Sequence, residues 1–208
     1  MLSGSDPLDQ FTTYTGGSIG SRAEMEKFEK ELPRHVKEEL RKGKLRYADT
    51  MIYSIKPVTS KVVKMFETQD DRLIGIRNIA NAKLPKNQCL LISGIQVLVG
   101  TVTVAGTQAT TDEILSSSLA NGIQSCVPLY TGEFSLKANQ KTIVSECSSK
   151  VFFANGSTSI LPGYYKLDNP RLIQDEWLIE FTFELGTTRG LLANQYVFLG
   201  LRGTITTP

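Results

Sequence analysis

His35 is the one histidine among 208 residues, and it stands between Arg34 and Val36 in a charge-rich stretch. Small β-barrels that hold a metal do so with clustered imidazoles, and a single histidine cannot build such a cluster. A solvated helix face is the plainer reading of His35. Cys89, Cys126 and Cys147 are widely spaced, odd in number and without a CxxC, so neither a zinc set nor a disulfide framework follows. Cys126 and Cys147 lie in strand-like runs, where a buried thiol behaves as a small hydrophobe. No nucleophile has a base beside it in the pattern, so a catalytic triad is not supported. Asp70 and Asp71 are adjacent carboxylates; neighbours on a strand point apart, and a solvated turn is the default. No GxxxxGK[ST] or GxGxxG occurs to cradle a nucleotide. Carboxylate-only glycosidase sites leave little trace in sequence, and nothing here points to one. The chain is expected to be no enzyme and to need no cofactor or metal.

The basic stretch carries more information. From Arg34 to Lys64 there are nine Lys or Arg against Glu38, Glu39 and Asp49. Arg34, Lys37, Arg41, Lys42, Lys44 and Arg46 are the candidates for contact with nucleic acid or with the inner face of an assembly. Such side chains neutralise phosphates without reading bases, in a salt-dependent way. No aromatic platform interleaves with them, so sequence-specific single-strand recognition is not expected.

These residues have to be positioned by an amphipathic segment. Ser21-Arg-Ala-Glu24 reads as a capping box, and Met25, Phe28, Leu32, Val36 and Leu40 follow at helical spacing. Pro33 divides the segment into helices over 22–32 and 33–42, and Gly43 stops it. The stripe must be buried on this domain or on a neighbour, and its five residues are the candidate subunit interface. Residues 1–20, rich in Gly, Ser, Thr and Asp without period, read as an arm.

From Thr50 the period becomes two. In Trp177–Leu185, Trp177, Ile179, Phe181, Phe183 and Leu185 share one parity, and Glu180, Thr182 and Glu184 take the other. That is an antiparallel strand with one dry and one wet face. Gln195–Thr207 repeats the pattern through Val197, Leu199, Leu201 and Ile205. Further short strands are expected at 51–55, 61–66, 123–130, 132–137, 141–147 and 150–154. Residues 89–104 form one long apolar run with bends at Gly94 and Gly100. Turns fall at 138–140, Asn155-Gly156-Ser157, Pro162-Gly163, Asn169-Pro170 and 186–190. Residues 105–122 read as an insertion with a short helix capped by Thr111. Eight to ten strands with turns every 8–12 residues make a β-sandwich or barrel. The expected organisation is an arm and amphipathic helical segment over 1–49, then a β domain over 50–208.

A net charge of +2 with 21% charged residues excludes a strongly acidic or basic chain. No apolar run approaches the ~20 residues of a membrane span, and no apolar signal-peptide core occurs in the first thirty residues. Synthesis in a reducing cytoplasm is expected.

Four stretches carry a resemblance: Leu84-Pro-Lys-Asn-Gln-Cys-Leu-Leu-Ile92, Gly132-Glu-Phe-Ser-Leu136, Gly163-Tyr-Tyr-Lys-Leu167 with Asn169-Pro-Arg-Leu-Ile173, and Asn194-Gln-Tyr-Val-Phe-Leu-Gly-Leu-Arg-Gly203. With the arm and helix before them, they resemble the jelly-roll major coat proteins of small non-tailed bacteriophages, over about residues 50–208. The resemblance implies an all-β jelly-roll-type sandwich of about eight strands. It also implies a structural virion protein whose copies assemble into an icosahedral capsid around the viral genome. Its partners would be itself, other virion proteins, and genomic nucleic acid or an internal membrane reached by the arm. The alternative is a phage spike or carbohydrate-binding β-sandwich module, with Tyr130, Tyr164 or Tyr165 as its aromatics.

Overall fold

The computed structural model describes residues 22–106, 109–153 and 161–208. The arm over 1–20, the Ser21 end of the capping box and the Asn155-Gly156-Ser157 turn lie outside the described residues. Eight strands are present among those described: β1 (Arg46–Pro57), β2 (Val62–Lys64), β3 (Leu90–Thr101), β4 (Glu133–Ala138), β5 (Lys141–Ser148), β6 (Tyr164–Ile173), β7 (Ile179–Glu184) and β8 (Gln195–Thr207). They form two antiparallel four-stranded sheets, ordered β1-β8-β3-β6 and β2-β7-β4-β5. The pairs nest: β1 with β8, β2 with β7, β3 with β6 and β4 with β5. The chain is therefore an all-β sandwich, laid out as one long hairpin folded over on itself.

Alternation builds the interior. Ile179, Phe181 and Phe183 of β7 are fully buried, while Glu180 and Glu184 face outward. Phe134 of β4 stacks on Phe181 at 5.5 Å between ring centroids, and Phe152 closes on Phe134 at 4.8 Å. From the facing sheet, Ile92, Ile95, Val97, Leu199 and Leu201 complete the same core. The β4–β5 hairpin turns through Asn139 and Gln140 at φ 47° and 65°. Two successive left-handed residues make the turn whose twist matches the flanking strands.

The two sheets differ on their outer faces. The β2-β7-β4-β5 sheet presents Glu180, Glu184, Glu133 and Lys137 to solvent. In the β1-β8-β3-β6 sheet the central strands β3 and β8 are buried almost throughout, whereas β1 and β6 at its edges keep Arg46, Asp49, Lys166, Asp168 and Arg171 exposed. One end of its outer face is roofed by α1 (Arg22–Lys27), a 3-10 turn over Glu29–Glu31, and α2 (Arg34–Arg41). At the other end, Ile76, Val102, Val104, Ala109, Ile114 and Leu119 cover Ile55, Tyr196 and Phe198. That second cover includes α3 (Thr111–Ser116), capped by Thr110, one residue before the expected cap. Thr110 and Glu113 there form a reciprocal capping box.

Several expected elements differ. Residues 123–130 are not a strand: a 3-10 turn at Ile123–Ser125 leads into α4 (Val127–Tyr130). Pro128 suits the first turn of a helix and would break a strand ladder. In the strand expected over 150–154, of which residue 154 lies outside the described residues, Ser149–Phe152 is instead a 3-10 helix. Asn169-Pro170 is no inter-strand turn but part of β6. The ladder to β3 jumps there, with Ile92 opposite Arg171 and Gly94 opposite Lys166, and Pro170 falls in the gap. The same shift bends β3 at Gly94, as its sequence suggested, and β3 is otherwise one strand. β1 begins at Arg46, ahead of the expected domain start at 50, and the helical segment packs onto the sheet rather than standing apart.

Candidate functional site

The stripe read as a subunit interface closes on its own chain. Met25, Leu32 and Val36 are buried against Leu45, Cys89, Leu91 and Leu172, with Phe28 and Leu40 packed at the margin. These side chains are part of the domain core, because the outer face of β3 and β6 is apolar and lies within reach. This corrects the interface reading for Met25, Leu32 and Val36. His35 extends the same junction: its Nε2 lies 2.8 Å from Asp175 Oδ2, and the Asn87 amide donates to that oxygen at 2.9 Å. Asp175 is buried while His35 is half-exposed, so the pair ties the helical cap to the turn before β7. His35 is therefore not just a solvated face.

The six basic candidates separate into two groups. Arg34 pairs with Glu38 at 2.8 Å, and Lys42 and Lys44 pair with Glu39 at 3.1 and 3.4 Å. The hydrogen bond from Lys42, followed by those charges and Lys44, holds the Glu39 carboxyl below its ordinary range. Arg41 and Arg46 are exposed and have no ion pair among the described residues. Lys37 donates to the Lys30 carbonyl at 2.7 Å. Lys37 and Arg41 then share a groove of about 450 Å³ with Lys27, Lys30, Glu26 and Glu29. Lys27 and Lys30 give no signal in sequence, where the surrounding glutamates hide them; only the helix–helix geometry brings them to Arg41. The groove can attract an extended polyanion.

Asp70 departs from the solvated turn expected of Asp70-Asp71. Lys56 Nζ lies 2.8 Å from Asp70 and 2.6 Å from Glu67, and Arg77 pairs with Asp70 from the other side. Burial pushes the Asp70 carboxyl up, but hydrogen bonds from Lys56 and Arg77, with their charges, outweigh it and bring it below its ordinary value. This cluster pins residues 67–77 to β1 and has no free face for chemistry. The thiols are equally structural in setting: burial pushes Cys89 up to about 11 and raises Cys126 and Cys147. Cys126 lies at the 3-10 turn before α4, not in a strand.

Exposed apolar side chains gather elsewhere. The strand registers bring residues 58–61, 102–106, 109–132, 149–153, 161–163 and 185–194 to one end of the sandwich. Leu115, Val127, Val151, Phe153 and Leu192 are exposed in those connections, and Val62 is exposed at the adjoining start of β2. Tyr130 meets Phe153 edge-on at 5.9 Å, with Lys150 over its ring. Ile74, 81% exposed, lies next to Gly75, whose backbone abuts Leu115. Tyr165 packs on Phe134 and Phe152 toward the core, whereas Tyr164 lies near Arg202 on the opposite face. Tyr130, Tyr164 and Tyr165 thus form no common platform. Among the described residues no group of three or more His, Cys, Asp or Glu is placed to hold a metal. No protein-family model, curated protein or solved structure matches this chain.

Proposed function

We propose that this chain is a structural coat subunit, a jelly-roll sandwich whose copies assemble into a closed icosahedral shell around a viral genome. Two four-stranded antiparallel sheets with nested strand pairs support the jelly-roll reading. A fold alone does not carry a function. The observation that carries this reading is the apolar loop end, where Val62, Leu115, Val127, Phe153 and Leu192 remain exposed. Apolar side chains left exposed at one end of a sandwich suit a protein–protein contact there. The basic groove between α1 and α2 supports a genome-facing side, and the polar composition of residues 1–20, which precede it in the chain, suits the same side.

Negative-stain microscopy beside sedimentation at low and high salt tests the proposal. Closed shells, or rings that close into shells, are expected from the wild type. Val127→Asp with Phe153→Asp should abolish particles while leaving the circular dichroism and melting of the subunit unchanged. A monomer at every salt and concentration would overturn the coat reading.

A further inference from the structure

The large apolar side chains left exposed among the described residues fall into two groups, on opposite flanks of one end of the sandwich. The first lies beside β1 and β2, the edge strands on one side. There the turn from Leu73 to Arg77 is held to β1: Arg77 bridges Ser54, and the Ile55 amide donates to the Ile76 carbonyl at 2.9 Å. That turn exposes Leu73 and Ile74, and Gly75 brings it against Leu115 of α3. Val62 and Leu192 adjoin the same flank, Val62 on β2 and Leu192 in the connection that enters β8. The second group lies beside β5 and β6, the edge strands on the other side. Phe152, which follows β5, packs on Phe134 of β4 and on Tyr165 of β6 at 4.8 and 6.1 Å. This fixes the 3-10 helix at Ser149–Phe152 on that flank, with Val151 and Phe153 exposed. Tyr130 meets Phe153 and brings α4 alongside, with Val127 exposed.

We propose that these two flanks are the two halves of one contact between copies of this chain. Leu73, Ile74 and Leu115 of one copy sit on Val127, Val151 and Phe153 of the next, so that copies join head to tail into a ring. The proposal rests on the self-assembly reading, of which it names one contact. Two features select a second copy as the occupant. The first is symmetry: a contact between unlike surfaces leaves one of each bare at the ends of a row, and a closed ring covers both on every copy. A two-fold contact would pair one flank with itself and leave the other bare. The second is charge. Residues 71–76 and 111–116 carry Asp71, Asp112 and Glu113 against Arg72, whereas in residues 123–132 and 149–153 the one charged residue is Lys150. Asp112 stands one helical turn before Leu115 and is exposed like it. Lys150 lies over the ring of Tyr130, next to Val151. An acidic flank thus meets a basic one, whereas pairing each flank with its own kind would set like charges together.

Sedimentation velocity of two single variants of the full chain, alone and mixed, tests this. Ile74→Asp disrupts the first flank and Val127→Asp the second; at 81% and 60% exposure, neither should alter the circular dichroism of the subunit. Each variant alone keeps one intact flank with nothing to seat it on, and its self-association should weaken by about tenfold or more. In an equal mixture, the intact second flank of Ile74→Asp meets the intact first flank of Val127→Asp. The mixture should therefore form a one-to-one dimer that grows no further. A variant that dimerises by itself, a mixture that stays monomeric, or variants that assemble like the wild type would overturn the proposal. Microscopy of the wild type keeps the two readings apart. Rings that never close into shells would sink the coat reading and leave the contact standing. Wild-type shells, with either variant pairing with itself, would sink the contact and leave the coat reading standing. A wild type that never leaves the monomer would sink both.

Discussion

His35 Nε2 and Asp175 Oδ2 lie 2.8 Å apart although 140 residues separate them in the chain. The contact joins α2 to the turn that precedes β7, and it makes the helical segment a roof of the sandwich rather than an appendage. Asp175→Ala should cost about 1–3 kcal/mol, because it strands the Asn87 amide as well as His35. His35→Ala removes a half-exposed partner and should cost less, roughly 1 kcal/mol. Urea unfolding of both variants checks the order. A larger loss for His35→Ala would show that the carboxylate is held mainly by the imidazole.

Burial of Met25, Leu32 and Val36 makes the roof part of the fold. Met25→Ala or Leu32→Ala should destabilise the domain by roughly 2–5 kcal/mol through the cavity left behind. Removing residues 22–45 would uncover Cys89, Leu91 and Leu172. Maleimide labelling in a Cys147→Ser background reads this directly, since Cys89 is fully buried in the intact chain. Labelling of Cys89 should be much faster in Leu32→Ala; an unchanged rate would mean that the roof does not depend on the stripe.

The Asp70 cluster has a pH signature. Its carboxyl is lowered in the folded state from an ordinary value of 3.8, so the stability it contributes is present above that value. That contribution is lost as pH falls through the lower, folded value. Asp70→Asn should therefore cost about 1–3 kcal/mol near pH 7 and progressively less as pH drops below about 3.8. Thermal melts of wild type and variant from pH 7 to pH 2.5 should converge at the acid end. Parallel curves would place the loss in shape rather than charge.

Binding to a single-stranded oligonucleotide should depend on the groove rather than on the paired cations. Lys30→Glu with Arg41→Glu should weaken binding and reduce the slope of affinity against salt by about 0.7 for each phosphate no longer neutralised. Arg34→Glu, which replaces a residue paired with Glu38, should change both less. Equal effects from the two sets would argue for a diffuse field.

The β7 faces are legible because Ile179–Glu184 alternates without a fault, and the β4–β5 hairpin because polar residues interrupt two such runs. Residues 123–130 and 150–154 read as strands, and the structure makes Ile123–Ser125, Val127–Tyr130 and Ser149–Phe152 turns of helix, for an identifiable reason. Short apolar runs carry no period long enough to separate a strand from a turn of helix, and Pro128 is the one local signal against a strand. Pro170 reads as a break between strands, because only the completed sheet places it on an edge where a missing donor costs nothing. Asp70 looks solvated because its partners, Lys56 and Arg77, are brought to it by β1 and the loop over residues 67–77.

By itself the sequence determined that two classes of surface must be hidden: the apolar parity of each strand and the stripe from Met25 to Leu40. Periodicity follows from backbone geometry, which every residue carries with it. What hides each surface was decided only by the tertiary structure. The hydrophobic effect has no direction, so a stripe that calls for cover does not name its cover. The nesting of the eight strands placed Cys89, Leu91 and Leu172 on an outer face beside the helices, and that proximity settled the stripe inside the chain. The same nesting collected Val127, Phe153 and Leu192 at one end, through contacts between residues far apart in sequence.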